Sequence, residues 1–173
     1  PVDDIVAAIA NDAPMTAVFC SPERLVLQNN WHTYDETIEV ACELRRRLPD
    51  IRIILAGPPF FDAAEQLERN PFVDIVIVGE SELTMEDYLV SRIEGGSIRD
   101  VKGLSIRDDG GIVYTGARKE WINPEDIPDV FDDEYFDALR GTYICQTSFG
   151  CPYNCSYCPS SGYKYRTVSI DRV

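Results

Sequence analysis

A doubly wound α/β fold, with a parallel sheet covered by helices on both faces, is predicted by two features of this 173-residue sequence. Three short, continuous apolar runs, MTAVFC (15–20), IRIILAG (51–57) and VDIVIVGE (73–80), read as strands buried on both sides. Each is followed by a polar loop and then by a segment with helical spacing of apolar residues, and strands alternating with amphipathic helices specify parallel pairing. Composition agrees: 45 % hydrophobic and 27 % charged residues are globular and supply a core, and the length fits one domain, or one domain plus the beginning of another.

The elements follow in order. DIVAAIA (4–10) suits a short helix before the first strand. After that strand, Thr33 and Glu36 have capping-box spacing. TIEVACELRRRL (37–48) then puts Ile38, Ala41, Cys42 and Leu48 near one face, with arginines at the end the helix dipole favours. DAAEQLER (62–69) and ELTMEDYLVSRI (82–93) are the next helices. Right-handed crossovers place every strand-to-helix loop at one sheet edge. Those loops begin with Ser21, Gly57 and Gly79, and ligands of open α/β sheets bind beyond the carboxyl ends of the strands. GLSIRDDGGIVYTG (103–116) alternates on either side of Asp109-Gly110-Gly111, a hairpin signal. INPEDIPDVFDDEYF (122–136) is acidic, contains two prolines and reads as a linker, and TYICQTS (142–148) resumes as a strand. The divisions expected are 1–98, 99–140 and 141–173. A helix without a preceding strand at one end, and TVSIDRV at the other, read as a piece of a larger protein.

The net charge of −14 opposes binding to phosphate backbones and anionic lipid surfaces. No run approaches the ~20 apolar residues of a membrane span, and PVDDIVAAIANDAP lacks the pattern of an export signal. The expected compartment is the cytoplasm, where clustered cysteines bind metal or do redox chemistry.

Such a cluster stands in TSFGCPYNCSYC (147–158), where Cys151, Cys155 and Cys158 are spaced C-x3-C-x2-C. Tetrahedral zinc takes four ligands. The only nearby fourth thiolate, Cys145, lies in the predicted strand. A three-thiolate iron–sulfur cluster with one open iron fits the spacing better. Cys20 and Cys42 read as small core residues, Asp74 as the end of a turn, and Trp31 and Trp121 as packing residues. Glu80 and Glu82 follow the third strand, Glu82 where its charge suits a helix start.

GCPYNCSYC resembles the signature of radical S-adenosylmethionine enzymes, C-x3-C-x-aromatic-C. The resemblance implies a 4Fe–4S cluster on Cys151, Cys155 and Cys158, with S-adenosylmethionine chelating the fourth iron and Tyr157 packing near its adenine. In that family an electron, from a donor such as flavodoxin or ferredoxin, cleaves the sulfonium and releases a 5′-deoxyadenosyl radical. The strand before the loop would open the family's β/α barrel. Upstream, AVFC followed by Ser21, ILAGPP and NPFVDIVIVGESE resemble the Rossmann-like cobalamin-binding domain of one branch. GLSIRDDGGIVYTGAR is similar to the hairpin after it, PEDIPDVF to the linker and KYRTVSIDRV to the stretch after the cluster. Cobalamin contacts are thereby expected at Ser21, Gly57, Gly79 and Glu80. No D-x-H-x-x-G motif is present, and the sole histidine, His32, sits just before the capped helix, so no histidine is expected on cobalt. The implied reaction is radical methylation, rearrangement or cyclisation of a small molecule. Two departures, the single Gly57 between Ala56 and Pro58 and Ser81 in place of a glycine, keep open an enzyme whose upstream domain binds no cobalamin. A zinc-binding interaction module is the alternative from another class.

Overall fold

The computed structural model describes residues 2–20, 31–57, 62–127, 147–158 and 161–172, with the backbone alone at 31–33. The chain divides into two compact units, Pro1–Lys119 and Glu120–Val173.

The first unit contains α1 (Val2–Asn11), β1 (Thr16–Cys20), α2 (Trp31–Arg47), β2 (Arg52–Ala56), α3 (Ala63–Arg69), β3 (Ile75–Ile77), α4 (Glu82–Glu94), β4 (Leu104–Asp108) and β5 (Gly111–Tyr114). The five strands form one sheet in the order β1-β2-β3-β4-β5. β1, β2 and β3 are parallel, with Cys20 beside Ala56 and Leu55 beside Val76. The hairpin is not a separate appendage. β4 pairs antiparallel with β3, so the sheet is mixed rather than wholly parallel. Asp108 pairs with Gly111, which leaves Asp109-Gly110 as a two-residue turn.

Alternation along the buried strands separates two apolar layers. Ile53, Leu55 and Val76 face Val6 of α1, Val40, Ala41 and Leu44 of α2, and Ala63 and Leu67 of α3. Ile54, Ala56, Ile75 and Ile77 face Tyr88 of α4, with Val101, Leu104 and Ile106. Continuous apolar strands are therefore needed, because each strand serves both layers. Asp62 caps α3 by accepting from the Glu65 amide at 2.9 Å, and Gly95 ends α4 at φ +74°.

Several sequence expectations change. α2 is already helical at Trp31, so Thr33 lies inside the helix rather than capping it, and His32 stands in the helix rather than before it. Cys20 is exposed at the end of β1 and Cys42 is only half-buried, so neither belongs to the core. Asp74 does more than end a turn. Its Oδ2 accepts from the Ile53 amide at 2.7 Å and from Arg45 Nη2 at 2.5 Å, tying β2, the approach to β3 and α2 together. Arg45 also donates to the Pro49 carbonyl at 3.1 Å, so this arginine is structural, whereas Arg46 is the solvated one. Asp74→Ala leaves a buried amide unsatisfied and is expected to cost about 2 kcal/mol, read as a lower urea midpoint with unchanged m. Asp74→Asn, which keeps an acceptor, should lose clearly less. Equal midpoints for the parent and Asp74→Ala would remove the brace from the account.

In the second unit β6 (Ser148–Phe149) pairs antiparallel with β7 (Arg166–Thr167). Short 3-10 turns span Pro124–Asp126 and Ile170–Arg172. Most of the strand expected at 142–148, with Cys145, and the linker from 128 onward lie outside the described residues. Among the described residues no helix is long and apolar enough to cross a membrane.

Candidate functional site

The first candidate region is the carboxyl edge of the parallel strands. The β1–β2–β3 register brings Cys20, Gly57 and the Val78–Glu80 segment to that one edge. Ser21 lies outside the described residues. Gly57 and Gly79 leave their strands at φ +101° and +94°, values that residues other than glycine rarely adopt. Among the described residues a Cβ on Gly79 would meet nothing within 4 Å, so its glycine serves the backbone turn rather than a close packing contact. Glu80 is half-buried beside it.

The start of α4 is fixed from behind. The Val78 amide donates to the Gly103 carbonyl at 2.8 Å, and Gly103, at φ +84°, passes so close that a Cβ would lie 2.9 Å from Thr84 Oγ1. Arg118 Nε donates to that same Thr84 oxygen at 2.9 Å and the guanidinium also pairs with Asp87. Glu82 occupies the first turn of α4, where a carboxylate complements the helix dipole.

Cys20 is exposed as a residue, yet burial of its thiol, and then the Glu82 carboxylate, push its pKa above the ordinary thiol range. Folding thus favours the protonated thiol. The associated stability is present below the unfolded thiol pKa and is lost as pH rises through the folded one. Iodoacetamide should therefore modify Cys20 more slowly than a free cysteine at pH 8, and Glu82→Gln should speed the reaction. An alkylation rate unaffected by Glu82→Gln would mean that the carboxylate does not act on this thiol.

The second candidate region is the cysteine loop. The β6–β7 ladder closes its base, helped by the Val168 amide donating to the Thr147 carbonyl at 3.0 Å. Inside, the Cys151 amide donates to the Tyr163 carbonyl at 3.3 Å and the Cys158 amide to the Cys155 carbonyl at 3.1 Å. The Ser161 amide donates to the Cys158 carbonyl at 3.0 Å, and the Ser161 hydroxyl bonds to Asn154 Oδ1. Gly150, at φ +69°, lets the chain enter against the opposite strand: a Cβ there would lie 2.7 Å from the Lys164 carbonyl carbon and 2.9 Å from the Tyr163 oxygen. Nothing in the sequence reading singled out this glycine.

Cys151, Cys155 and Cys158 are free and half-buried. Among the described residues no three His, Cys, Asp or Glu side chains are gathered as a metal site, so the thiols share one loop without converging on a point. The donor set nevertheless fits a soft iron–sulfur site: three reachable thiols within eight residues, on a loop held at its base. Tyr157 is 88 % exposed, its ring free to receive a flat partner.

No family model matches the chain. An uncharacterised methyltransferase of Pyrococcus horikoshii, PH0819, is 29 % identical over 133 residues, covering 72 % of this chain and 29 % of that protein. The cobalamin-dependent radical SAM methyltransferase TokK of Streptomyces tokunonensis is 26 % identical over 148 residues, covering 79 % of this chain and 22 % of that one. The chain resembles cobalamin-dependent radical S-adenosylmethionine enzymes. Among solved structures, the enzyme OxsB with aqua-cobalamin and S-adenosylmethionine bound matches at a TM-score of 0.69 and 19 % identity. That match covers 99 % of this chain and 24 % of OxsB, so both units lie inside it. The methyltransferase TsrM of Kitasatospora setae, with cobalamin and a 4Fe–4S cluster bound, matches at a TM-score of 0.64 and 16 % identity over 91 % of this chain and 34 % of that one. These structural likenesses establish the α/β fold. The chain spans less than a third of the length of the curated relatives it matches.

Proposed function

We propose that this chain carries the corrin-facing sheet edge and the cluster loop of a cobalamin-dependent radical S-adenosylmethionine enzyme that transfers a methyl group to a small-molecule substrate. The observation that carries the reading is the combination, in one chain, of a base-clamped C-x3-C-x2-C loop with parallel strands that end in positive-φ glycines. Cys151, Cys155 and Cys158 would hold a 4Fe–4S cluster, and Tyr157 would lie against the adenine of S-adenosylmethionine. Gly57 and Gly79 would let the backbone approach cobalamin, with Ser21 and Glu80 as polar contacts to its amide groups. When bound, these groups supply a carbon-centred radical and a transferable methyl group. The protein's own contribution is placement: thiols on a loop clamped at its base, and a strand edge that turns on glycines. An electron donor such as flavodoxin or ferredoxin and a cytoplasmic setting belong to the same reading.

The test is anaerobic reconstitution with iron, sulfide and hydroxocobalamin, followed by absorption spectra after desalting. Iron–sulfur absorption together with retained corrin bands is the expected result. Cluster without corrin would leave a radical enzyme whose upstream sheet binds no cobalamin. A colourless protein containing zinc would overturn the reading.

A further inference from the structure

The second unit contains a stacked cation to which the proposed cofactor chemistry gives no role. Arg166 is the ladder partner of Phe149, two residues before Cys151. Its guanidinium carbon lies 5.2 Å from the centroid of the Trp121 ring and 5.7 Å from that of Phe149, both within cation–π range. Nη1 donates to the Ile122 carbonyl at 3.1 Å. Trp121 also meets Tyr163 edge-on, with centroids 5.5 Å apart and planes at 69°. Tyr163 is the residue whose carbonyl receives the Cys151 amide.

The returning side of the cysteine loop therefore leans on one indole through Tyr163 and Arg166, and the entering strand is joined to it through Phe149, whose ring meets the same Arg166 guanidinium. Arg172 adds a second tether to the segment that follows Trp121, donating to the carbonyls of Pro124 and Ile127. A planar guanidinium suits this place because it offers two faces to rings and an in-plane donor to a carbonyl at once, which an ammonium cannot.

We infer that Arg166, stacked on Trp121 and Phe149, is a positioning residue that sets the cysteine loop for holding its metal cluster. The inference rests on the loop being an iron–sulfur site. Its action would run through the loop backbone, in the way that outer partners of metal ligands act through the ligands they orient.

The experiment compares the full chain with Arg166→Met, Trp121→Leu and Trp121→Phe after anaerobic reconstitution with iron and sulfide. Three quantities are read: the rate at which a ferrous chelator strips the cluster, the electron paramagnetic resonance line shape of the reduced cluster, and thermal melting by circular dichroism. Arg166→Met and Trp121→Leu are expected to lose iron about tenfold faster than the parent, with altered line shape and melting curves that overlay it. Trp121→Phe, which keeps a ring face, should stay near the parent. Parental stripping rates in both disruptive variants overturn the inference. Faster stripping that tracks a lower melting temperature also overturns it, since Arg166 would then be an ordinary stabiliser. A parent chain that takes up no cluster fails before any substitution is made, and overturns the functional reading and this inference together.

Discussion

Gly150→Ala is expected to abolish cluster uptake while leaving the first unit folded. Two costs add. At φ +69° an L-residue carries roughly 1–2 kcal/mol of backbone strain. The larger cost is steric, because the new methyl group would fall on the Lys164 carbonyl and within 2.9 Å of the Tyr163 oxygen. Both obstacles are backbone, so no rotamer change relieves them; the strands must part. Parting them breaks the bond from the Cys151 amide to Tyr163 and the Phe149–Arg166 pairing that closes the base. Gly162→Ala is the matched control. It lies in the same loop at φ +87°, but its Cβ would meet nothing within 4 Å, so it bears strain without collision. Iron and sulfide content after reconstitution should be near zero for Gly150→Ala and close to parental for Gly162→Ala. Parental iron in Gly150→Ala would mean that the loop need not pass this close to its return strand.

The sheet was legible because its strands are buried on both faces. Ile53 with Leu55, and Ile54 with Ala56, must all be apolar when each pair enters a different layer, and such a run stands out against the polar loops around it. The attachment of the hairpin to that sheet was not legible. Alternation and Asp109-Gly110 specify a hairpin, but the choice of β3 as neighbour depends on contacts between Ile75–Ile77 and Leu104–Ile106 that are remote in sequence. The helix start at α2 misled for a related reason: Thr33 and Glu36 have cap spacing, yet a helical backbone already runs through Trp31 and His32. At the cysteine loop the sequence shows three closely spaced thiols, but not the scaffold that carries them. Gly150 matters because of where Lys164 lies, and Trp121 because of where Arg166 and Tyr163 lie. Those are properties of a closed loop. A glycine before a cysteine is at most a hint of such a close crossing.

The two proposed cofactor sites fall in different compact units, and that separation yields the second strong prediction, a double dissociation. Cys151→Ala removes one of three thiolates and should eliminate the iron–sulfur absorption entirely, because a cluster left with two protein ligands is not retained. The corrin bands should persist. Gly79→Ala should do the opposite, weakening corrin retention by about tenfold, equivalent to about 1.4 kcal/mol, while the cluster stays at parental level. The difficulty with any glycine substitution is separating lost binding from strain. Gly95 resolves it: at φ +74°, with nothing within 4 Å of an added Cβ, it carries a comparable backbone penalty at the far end of α4, away from the strand edge. If Gly79→Ala and Gly95→Ala destabilise alike but only the former releases cobalamin, the backbone at Gly79 is where the corrin approaches. If both release it equally, strain alone accounts for the loss and the sheet edge has no special claim. If Cys151→Ala strips corrin as well as cluster, the two cofactors are held as one site and their assignment to separate units fails.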